Sequence, residues 1–184
     1  MLLPVDPGFG SDPAVLVAYK SALQQWEHDP LQSYCKAYWT ARQELSILTS
    51  LSHHNIVGLV GLCMQPLGIV LQLAPKGSLL EHLKNLRQSS DKLSAISVQQ
   101  ICSQISKALE YLHGFRIIYR DLKSDNVLVW SIEKKVMVKL TDYGISRAVT
   151  AASTTKGFAG TEAYIAPEII QYGGEEEYNE AVRQ

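Results

Sequence analysis

The stretch that decides the fold is IIYRDLKSDNVLVW, residues 117–130. It runs from apolar residues through a polar loop with Asp121, Lys123 and Asn126 into the strand-like sequence VLVW. A second β-type run, VMVKL (136–140), predicts a tight hairpin, and Asp142 follows on the loop that leaves it. The loop supplies a carboxylate that accepts a proton, an ammonium that stabilises negative charge and two oxygen ligands for Mg²⁺. Together these are the groups that transfer of a phosphoryl group from a metal-bound nucleotide to a hydroxyl needs.

A long amphipathic helix is predicted upstream of this loop, from residue 98 to residue 113. Ser97 is its predicted N-cap, because Gln100 follows at capping-box spacing and Ile96 with Ile101 fits a hydrophobic staple. Gly114 is the predicted stop. The expected buried face consists of Val98, Ile101, Ile105, Ala108, Leu109 and Leu112.

The first third of the chain predicts strands and one helix. Apolar runs predict strands at 15–20, 56–63 and 68–74, and apolar residues at steps of three and four predict a helix over 34–51. A short helix is predicted to open at 77–80 and to end near Arg87. Strands early and helices later predict an α+β protein with two unequal lobes.

Four motifs in order resemble the protein-kinase signature. H-R-D-L-x-x-x-N is written here as YRDLKSDN (119–126), D-F-G as DYG (142–144) and A-P-E at 166–168. Lys20 at the end of a strand and Glu44 on a helix match the family's upstream ion pair. Four motifs in the same order as in kinases indicate the family far more specifically than any one motif does. A polar loop that contains Asp, Lys and Asn by coincidence is a poor alternative explanation.

The sequence around these motifs is similar to that of the leucine-rich-repeat kinases of the Roco group, which are tyrosine-kinase-like by sequence. The stretches SDNVLVW, DYGISR and LAPKGSL carry this resemblance. It implies a bilobal protein-kinase-like fold and an ATP- and Mg²⁺-dependent serine/threonine kinase that acts on protein substrates. It also implies a larger multidomain protein with a GTPase module.

The resemblance implies roles for the residues of the central loop. Asp121 would orient the substrate hydroxyl and accept its proton, and Lys123 would contact the γ-phosphate. Asn126 and Asp142 would hold Mg²⁺.

The resemblance also implies a nucleotide site. Lys20 would contact the α- and β-phosphates and be held by Glu44. The backbone of Gln72 and Ala74, after the gatekeeper-like Leu71, would bond the adenine edge. A hydrophobic spine would join the lobes, although ordinary core packing explains the same residues equally well: Leu59, Leu48, Tyr143 and Tyr119.

The sequence departs from the kinase pattern at both ends. Only Gly8 and Gly10 resemble part of a glycine-rich loop, and they are equally well explained as ordinary loop glycines. Since the sequence stops shortly after APE, we expect a partial kinase domain over 1–184, with an incomplete N-lobe and hinge at 1–74 and a truncated C-lobe at 75–184. The rival readings are a pseudokinase-like nucleotide-binding or interaction module without turnover, and a non-functional fragment.

Composition narrows the function classes. Seventeen basic and 18 acidic residues give a net charge of −1, which argues against binding to nucleic-acid backbone or anionic lipid. No apolar run approaches the roughly 20 residues that span a bilayer. Three widely spaced cysteines without a C-x-x-C pair fit reduced thiols, and so a cytoplasmic protein.

The segment after DYG is a candidate for regulation by phosphorylation. A phosphate there would add about −1.5 to −2 charges and could dock on Arg120. A flexible solvated loop is the equally good alternative, and Thr161 is expected to be structural. The candidate hydroxyls are Ser146, Thr150, Ser153, Thr154 and Thr155.

Overall fold

The structure is a computed structural model of the chain. It describes residues 17–21, 30–65, 67–132, 135–148 and 159–171, with the backbone alone at 30–34, 36 and 168.

The first part of the fold is an antiparallel sheet in the order β1-β3-β2. Its strands are β1 (Val17–Ser21), β2 (Leu59–Met64) and β3 (Leu67–Gln72), so the three predicted strands are confirmed with shifted bounds. In the register of β1 and β3, Lys20 lies opposite Ile69. This register fixes where the Lys20 side chain leaves the sheet.

Helix α1 (Pro30–Leu48) packs against β3. It begins four residues before the predicted start and ends three before the predicted end. Proline suits a first helical position, because its φ is preset and it lacks an amide hydrogen. At the other end, the Ser50 hydroxyl donates to the carbonyl of Ile47 at 2.8 Å, and the Ser50 amide bonds the same carbonyl at 3.0 Å. These i→i−3 bonds tighten the last turn and end the helix.

The second part of the fold opens with two helices. Helix α2 (Leu79–Gln88) begins at a capping box, in which the Glu81 amide donates to Ser78 Oγ and the Ser78 amide donates to Glu81 Oε2. Helix α3 (Ala95–Gly114) follows. Both confirm helices that the sequence predicts.

The predicted start of α3 is wrong. Ser94 is the N-cap, and its hydroxyl accepts the amide of Ser97 at 3.0 Å, so the helix begins three residues before the predicted start. Ile96 therefore lies in the first turn with 68% of its surface exposed, and the predicted staple does not form. Val98 is 45% exposed, so the apolar stripe is buried only from Ile101 onward.

Two short ladders complete the second part. Strand β4 (Ile117–Ile118) pairs with β7 (Arg147–Ala148), and β5 (Val127–Ser131) pairs with β6 (Met137–Leu140) as the predicted hairpin. The five-residue helix α4 (Pro167–Gln171) ends the described chain. The α+β architecture is confirmed, and the loop that carries Asp121, Lys123 and Asn126 lies between β4 and β5.

A buried polar joint connects the two parts of the fold. The side chain of Asn55, just before β2, donates to the carbonyl of Val138 and to Gln104 Oε1, each at 2.8 Å. Gln104, on α3, also donates to the carbonyl of Val136 at 2.8 Å and accepts the Val138 amide at 2.9 Å. The joint places β6, and with it the loop that carries Asp142, against the first part.

Candidate active site

Asp121 is the centre of the site. The amide and the hydroxyl of Thr161 donate to its Oδ1, at 3.0 and 2.9 Å. Its Oδ2 accepts the Asn126 side-chain amide at 2.8 Å and lies 2.8 Å from the Lys123 ammonium. The buried carboxylate is therefore held in one orientation, because donors bond both of its oxygens.

These donors keep Asp121 ionised. Burial raises the pKa of its carboxyl, but hydrogen bonds from Lys123, Thr161 and Asn126 outweigh burial, and the pKa is lowered overall. The carboxylate is therefore deprotonated at neutral pH and can accept a hydrogen bond from a hydroxyl.

Gly160 brings Thr161 to Asp121 through a backbone shape that needs glycine. Its φ is +108°, and a Cβ there would lie 2.5 Å from the backbone carbonyl oxygen of Arg120. Arg120 and Asp142 also have left-handed backbone, with φ of +72° and +60°. Such conformations cost about 1–3 kcal/mol each and concentrate at functional sites.

A second charged cluster joins β1, α1 and the loop after β6. The Lys20 ammonium lies 2.8 Å from Glu44 Oε2 and 2.9 Å from Asp142 Oδ1. The predicted contact of Lys20 with Glu44 is therefore confirmed.

The electrostatics of this cluster follow from burial. Desolvation lowers the pKa of Lys20, but the two carboxylates outweigh it and the pKa is raised, so the ammonium stays charged. Glu44 is almost fully buried. Burial raises the pKa of its carboxyl, with Lys20 opposing, so Glu44 depends on Lys20 to remain ionised.

Asn126 and Asp142 fit a magnesium site. The backbone amide of Thr141 donates to the carbonyl of Asn126 at 3.0 Å, which holds the neighbouring Asp142 close to Asn126. The Asn126 amide group donates to the backbone and the carboxylate of Asp121, so its oxygen is directed away from Asp121. The Asp142 side chain is 44% exposed. Among the described residues no cluster of three or more His, Cys, Asp or Glu forms a metal cage, but Mg²⁺ is usually bound by one or two protein carboxylates together with substrate phosphates.

Two tyrosines pack beneath the charged groups. Tyr119 and Tyr143 are fully buried, with ring centroids 5.5 Å apart in an edge-to-face arrangement. The Tyr119 hydroxyl donates to the carbonyl of Thr141, and the Tyr143 hydroxyl donates to the carbonyl of Leu140 at 3.3 Å. Burial raises the pKa of both phenols, so both are neutral donors. Leu48 belongs to the same buried cluster and Leu59 packs against it.

The predicted adenine-binding segment follows β3. The Gln72 amide donates to the carbonyl of Gly58 at 3.0 Å, so its amide hydrogen is already used within the protein. The Gln72 side chain accepts the Lys139 ammonium at 2.8 Å. The Ala74 carbonyl accepts the Gly77 amide at 3.3 Å. The adenine-binding role of both residues stays a prediction.

Comparison with known proteins gives the family. The model of the protein kinase domain matches residues 12–182. The chain belongs to the protein kinase family.

Relatives of this kinase domain include leucine-rich-repeat kinases. Leucine-rich repeat serine/threonine-protein kinase 1 of Caenorhabditis elegans is 49% identical over 188 residues, which cover 99% of this chain and 8% of that protein. The mouse protein of the same name is 47% identical over 132 residues, covering 70% of this chain and 6% of that protein. Inactive tyrosine-protein kinase kin-32 of C. elegans is 39% identical over 133 residues, covering 71% of this chain and 15% of that protein. The kinase domain therefore spans less than a sixth of each of these relatives, and its resemblance to Roco-type kinases is confirmed.

Some predicted sites of this kinase domain lie outside the described residues. They are Gly8, Gly10, Thr150, Ser153, Thr154 and Thr155. The prediction of Ser146 as a phosphate acceptor is wrong for this conformation, because Ser146 is fully buried and its hydroxyl donates to the carbonyl of Tyr119 at 2.9 Å. Thr161 lies against Asp121, as the sequence predicts.

Sequence reasoning missed three polar residues that tie the site together. Gln43, directly before Glu44, donates to the carbonyl of Ser146. Asn55 and Gln104 form the buried joint behind the site. The sequence could have indicated a contact for Gln104, since it is a polar residue beside the apolar stripe of α3. Nothing in the sequence indicates the contacts of Gln43 and Asn55.

Proposed function

We propose that this kinase domain transfers the γ-phosphoryl group of ATP to serine and threonine hydroxyls of proteins. The observation that carries the proposal is the orientation of Asp121 by Thr161, Lys123 and Asn126. An ionised carboxylate fixed by four donors is suited to orienting a hydroxyl and accepting its proton.

Lys123 and Thr161 have a positioning role in this proposal. The Lys123 ammonium donates to Thr161 Oγ1 at 2.7 Å and pairs with Asp121, so it lies beside the proton acceptor. There it would stabilise negative charge that develops on the transferred group. A lysine two residues after the aspartate is the serine/threonine form of the loop, which supports the proposed specificity.

ATP and Mg²⁺ are the proposed cofactors. Asn126 and Asp142 would hold the metal, which when bound neutralises phosphate charge. Lys20, fixed by Glu44, would bind the α- and β-phosphates, and Gln72 with Ala74 would bind the adenine edge.

The setting of the domain is proposed from weaker observations. Cys35 and Cys102 are exposed free thiols, which supports a reducing, cytoplasmic compartment. None of the described helices is long and apolar enough to cross a membrane. Similarity to Roco-type kinases supports a larger polypeptide that contains a GTPase module.

The test is phosphoryl transfer by the full-length protein. With labelled ATP and libraries of serine-, threonine- and tyrosine-containing peptides, we expect label on the first two. Asp121→Asn should abolish transfer and retain nucleotide-dependent thermal stabilisation. The matched control is Asp125→Asn, since Asp125 is an exposed carboxylate of the same loop and should be dispensable.

Two outcomes would contradict the proposal. Nucleotide-dependent stabilisation without any transfer would favour a binding module without turnover. Equal activity of Asp121→Asn and Asp125→Asn would remove Asp121 from the chemistry.

A further inference from the structure

Ser146 connects three segments of the site while being fully buried. Its amide donates to the carbonyl of Tyr143 at 3.1 Å, and its hydroxyl donates to the carbonyl of Tyr119 at 2.9 Å. Its own carbonyl accepts the side-chain amide of Gln43 on α1. Every polar group of this residue therefore has a partner, and the partners come from the DYG segment, the catalytic loop and helix α1.

The Ser146 hydroxyl extends a strand ladder. In the pairing of β4 with β7, Ile118 lies opposite Arg147, so the next antiparallel pair is Tyr119 with Ser146. There the serine hydroxyl bonds the backbone carbonyl of Tyr119. This bond fixes the DYG segment to the chain two residues before Asp121.

Gln43 connects this ladder to the charged cluster. It precedes Glu44, whose Oε2 lies 2.8 Å from the Lys20 ammonium. Helix α1 is thus held at adjacent residues by two different partners, Lys20 on β1 and Ser146 on the segment after Asp142. A displacement of Ser146 moves the partner of Gln43, and a displacement of α1 moves Glu44 away from Lys20.

We propose that Gln43 and Ser146 are positioning residues that couple the placement of Glu44 on α1 to the placement of the Asp142 segment. The expected effect of this coupling on turnover rests on the proposed kinase function. The expected effect of one segment on the placement of the other does not. Neither residue touches the reacting groups, and both act through Glu44, Lys20 and Asp142.

Turnover of the full-length protein gives the first test. Gln43→Met keeps the side-chain length but cannot donate, and should lower kcat about 2- to 12-fold, the factor that corresponds to one lost hydrogen bond. In a Glu44→Gln background the same change should lower kcat less than about twofold, because Gln43 acts through the ion pair of Glu44 with Lys20, which the background has already weakened. Fully additive losses would overturn the proposal, since a merely structural role predicts them.

An isosteric pair tests the hydroxyl of Ser146. Ser146→Thr and Ser146→Val add the same bulk, and only threonine keeps the hydroxyl. We expect the valine variant to have a kcat about 2- to 12-fold below that of the threonine variant. Equal kcat values would overturn the role of the hydroxyl.

Hydrogen–deuterium exchange tests the coupling without any turnover. Ser146→Val should speed exchange in residues 41–48 relative to Ser146→Thr, and Gln43→Met should speed exchange in residues 142–148. Unchanged exchange in both segments would overturn the coupling. Faster exchange in variants of a protein that transfers no phosphate would support the coupling and overturn only the proposed function.

Discussion

Replacing Gly160 by alanine should damage catalysis more than stability. The new Cβ would lie 2.5 Å from the carbonyl oxygen of Arg120, in a backbone with φ of +108°. To reach 3.0–3.4 Å, the two atoms must move apart by roughly 0.5–0.9 Å. Because Thr161 is the next residue, this movement draws its amide and hydroxyl away from Asp121 Oδ1.

The two consequences of Gly160→Ala have different sizes. Backbone strain of about 1–3 kcal/mol corresponds to a fall in Tm of about 2–12 °C for a chain of this length. A misplacement of nearly 1 Å at a catalytic group lowers turnover by up to about 100-fold, so we expect kcat to fall about 10- to 100-fold.

Gly114→Ala is the matched control. Gly114 is the last residue of α3, it lacks positive φ, and no atom lies within 4 Å of a Cβ built there. This variant should keep its kcat and its Tm. Phosphoryl transfer and thermal unfolding of the full-length protein measure both quantities. A Gly160→Ala protein with kcat within about twofold of wild type would refute the argument that Gly160 positions Thr161.

Three further predictions concern side chains of the site. Thr161→Val removes a hydrogen bond that lowers the pKa of Asp121, so that pKa should rise and the acidic limb of the kcat/KM profile should move to higher pH; an unmoved limb would contradict this. Tyr143→Phe should change kcat with little change in Tm, because it removes a hydroxyl that bonds the carbonyl of Leu140 in this arrangement of the DYG segment, and identical kcat values in the two proteins would show that the hydroxyl does not bias the arrangement. Asp142→Ala should abolish phosphoryl transfer and Mg²⁺-dependent stabilisation by ATP, and transfer above a few per cent of wild type would exclude Asp142 as the metal ligand.

The sequence predicts the catalytic loop well because its information is local. Asp121 and Asn126 lie five residues apart, and the strand pattern of β5 and β6 fixes the hairpin that follows. The contact of Lys20 with Glu44 spans 24 residues and was predictable only through the order of the kinase motifs.

Other features depend on geometry that the sequence does not contain. Ser94 and Ser97 are both suitable N-caps, and the apolar stripe favoured the wrong one because its first member, Val98, is exposed. The bond of Gln43 to Ser146 joins residues 103 positions apart with no apolar periodicity to announce it. Sequence patterns therefore do not predict the tertiary contacts that single polar side chains make in this site.

The joint made by Asn55 has a consequence for synthesis on the ribosome. Its side chain bonds the carbonyl of Val138, 83 residues later in the chain. At translation rates of about 5–20 residues per second, Asn55 waits about 4–17 s before Val138 has been made. During that interval water must satisfy the side-chain amide of Asn55, which later bonds Val138, together with the Asn55 carbonyl and the Val57 amide, which later bond Leu140. The first sheet of a nascent chain thus has an unfinished edge until β6 emerges, and the Asp142 loop, two residues beyond β6, arrives only after that edge can close.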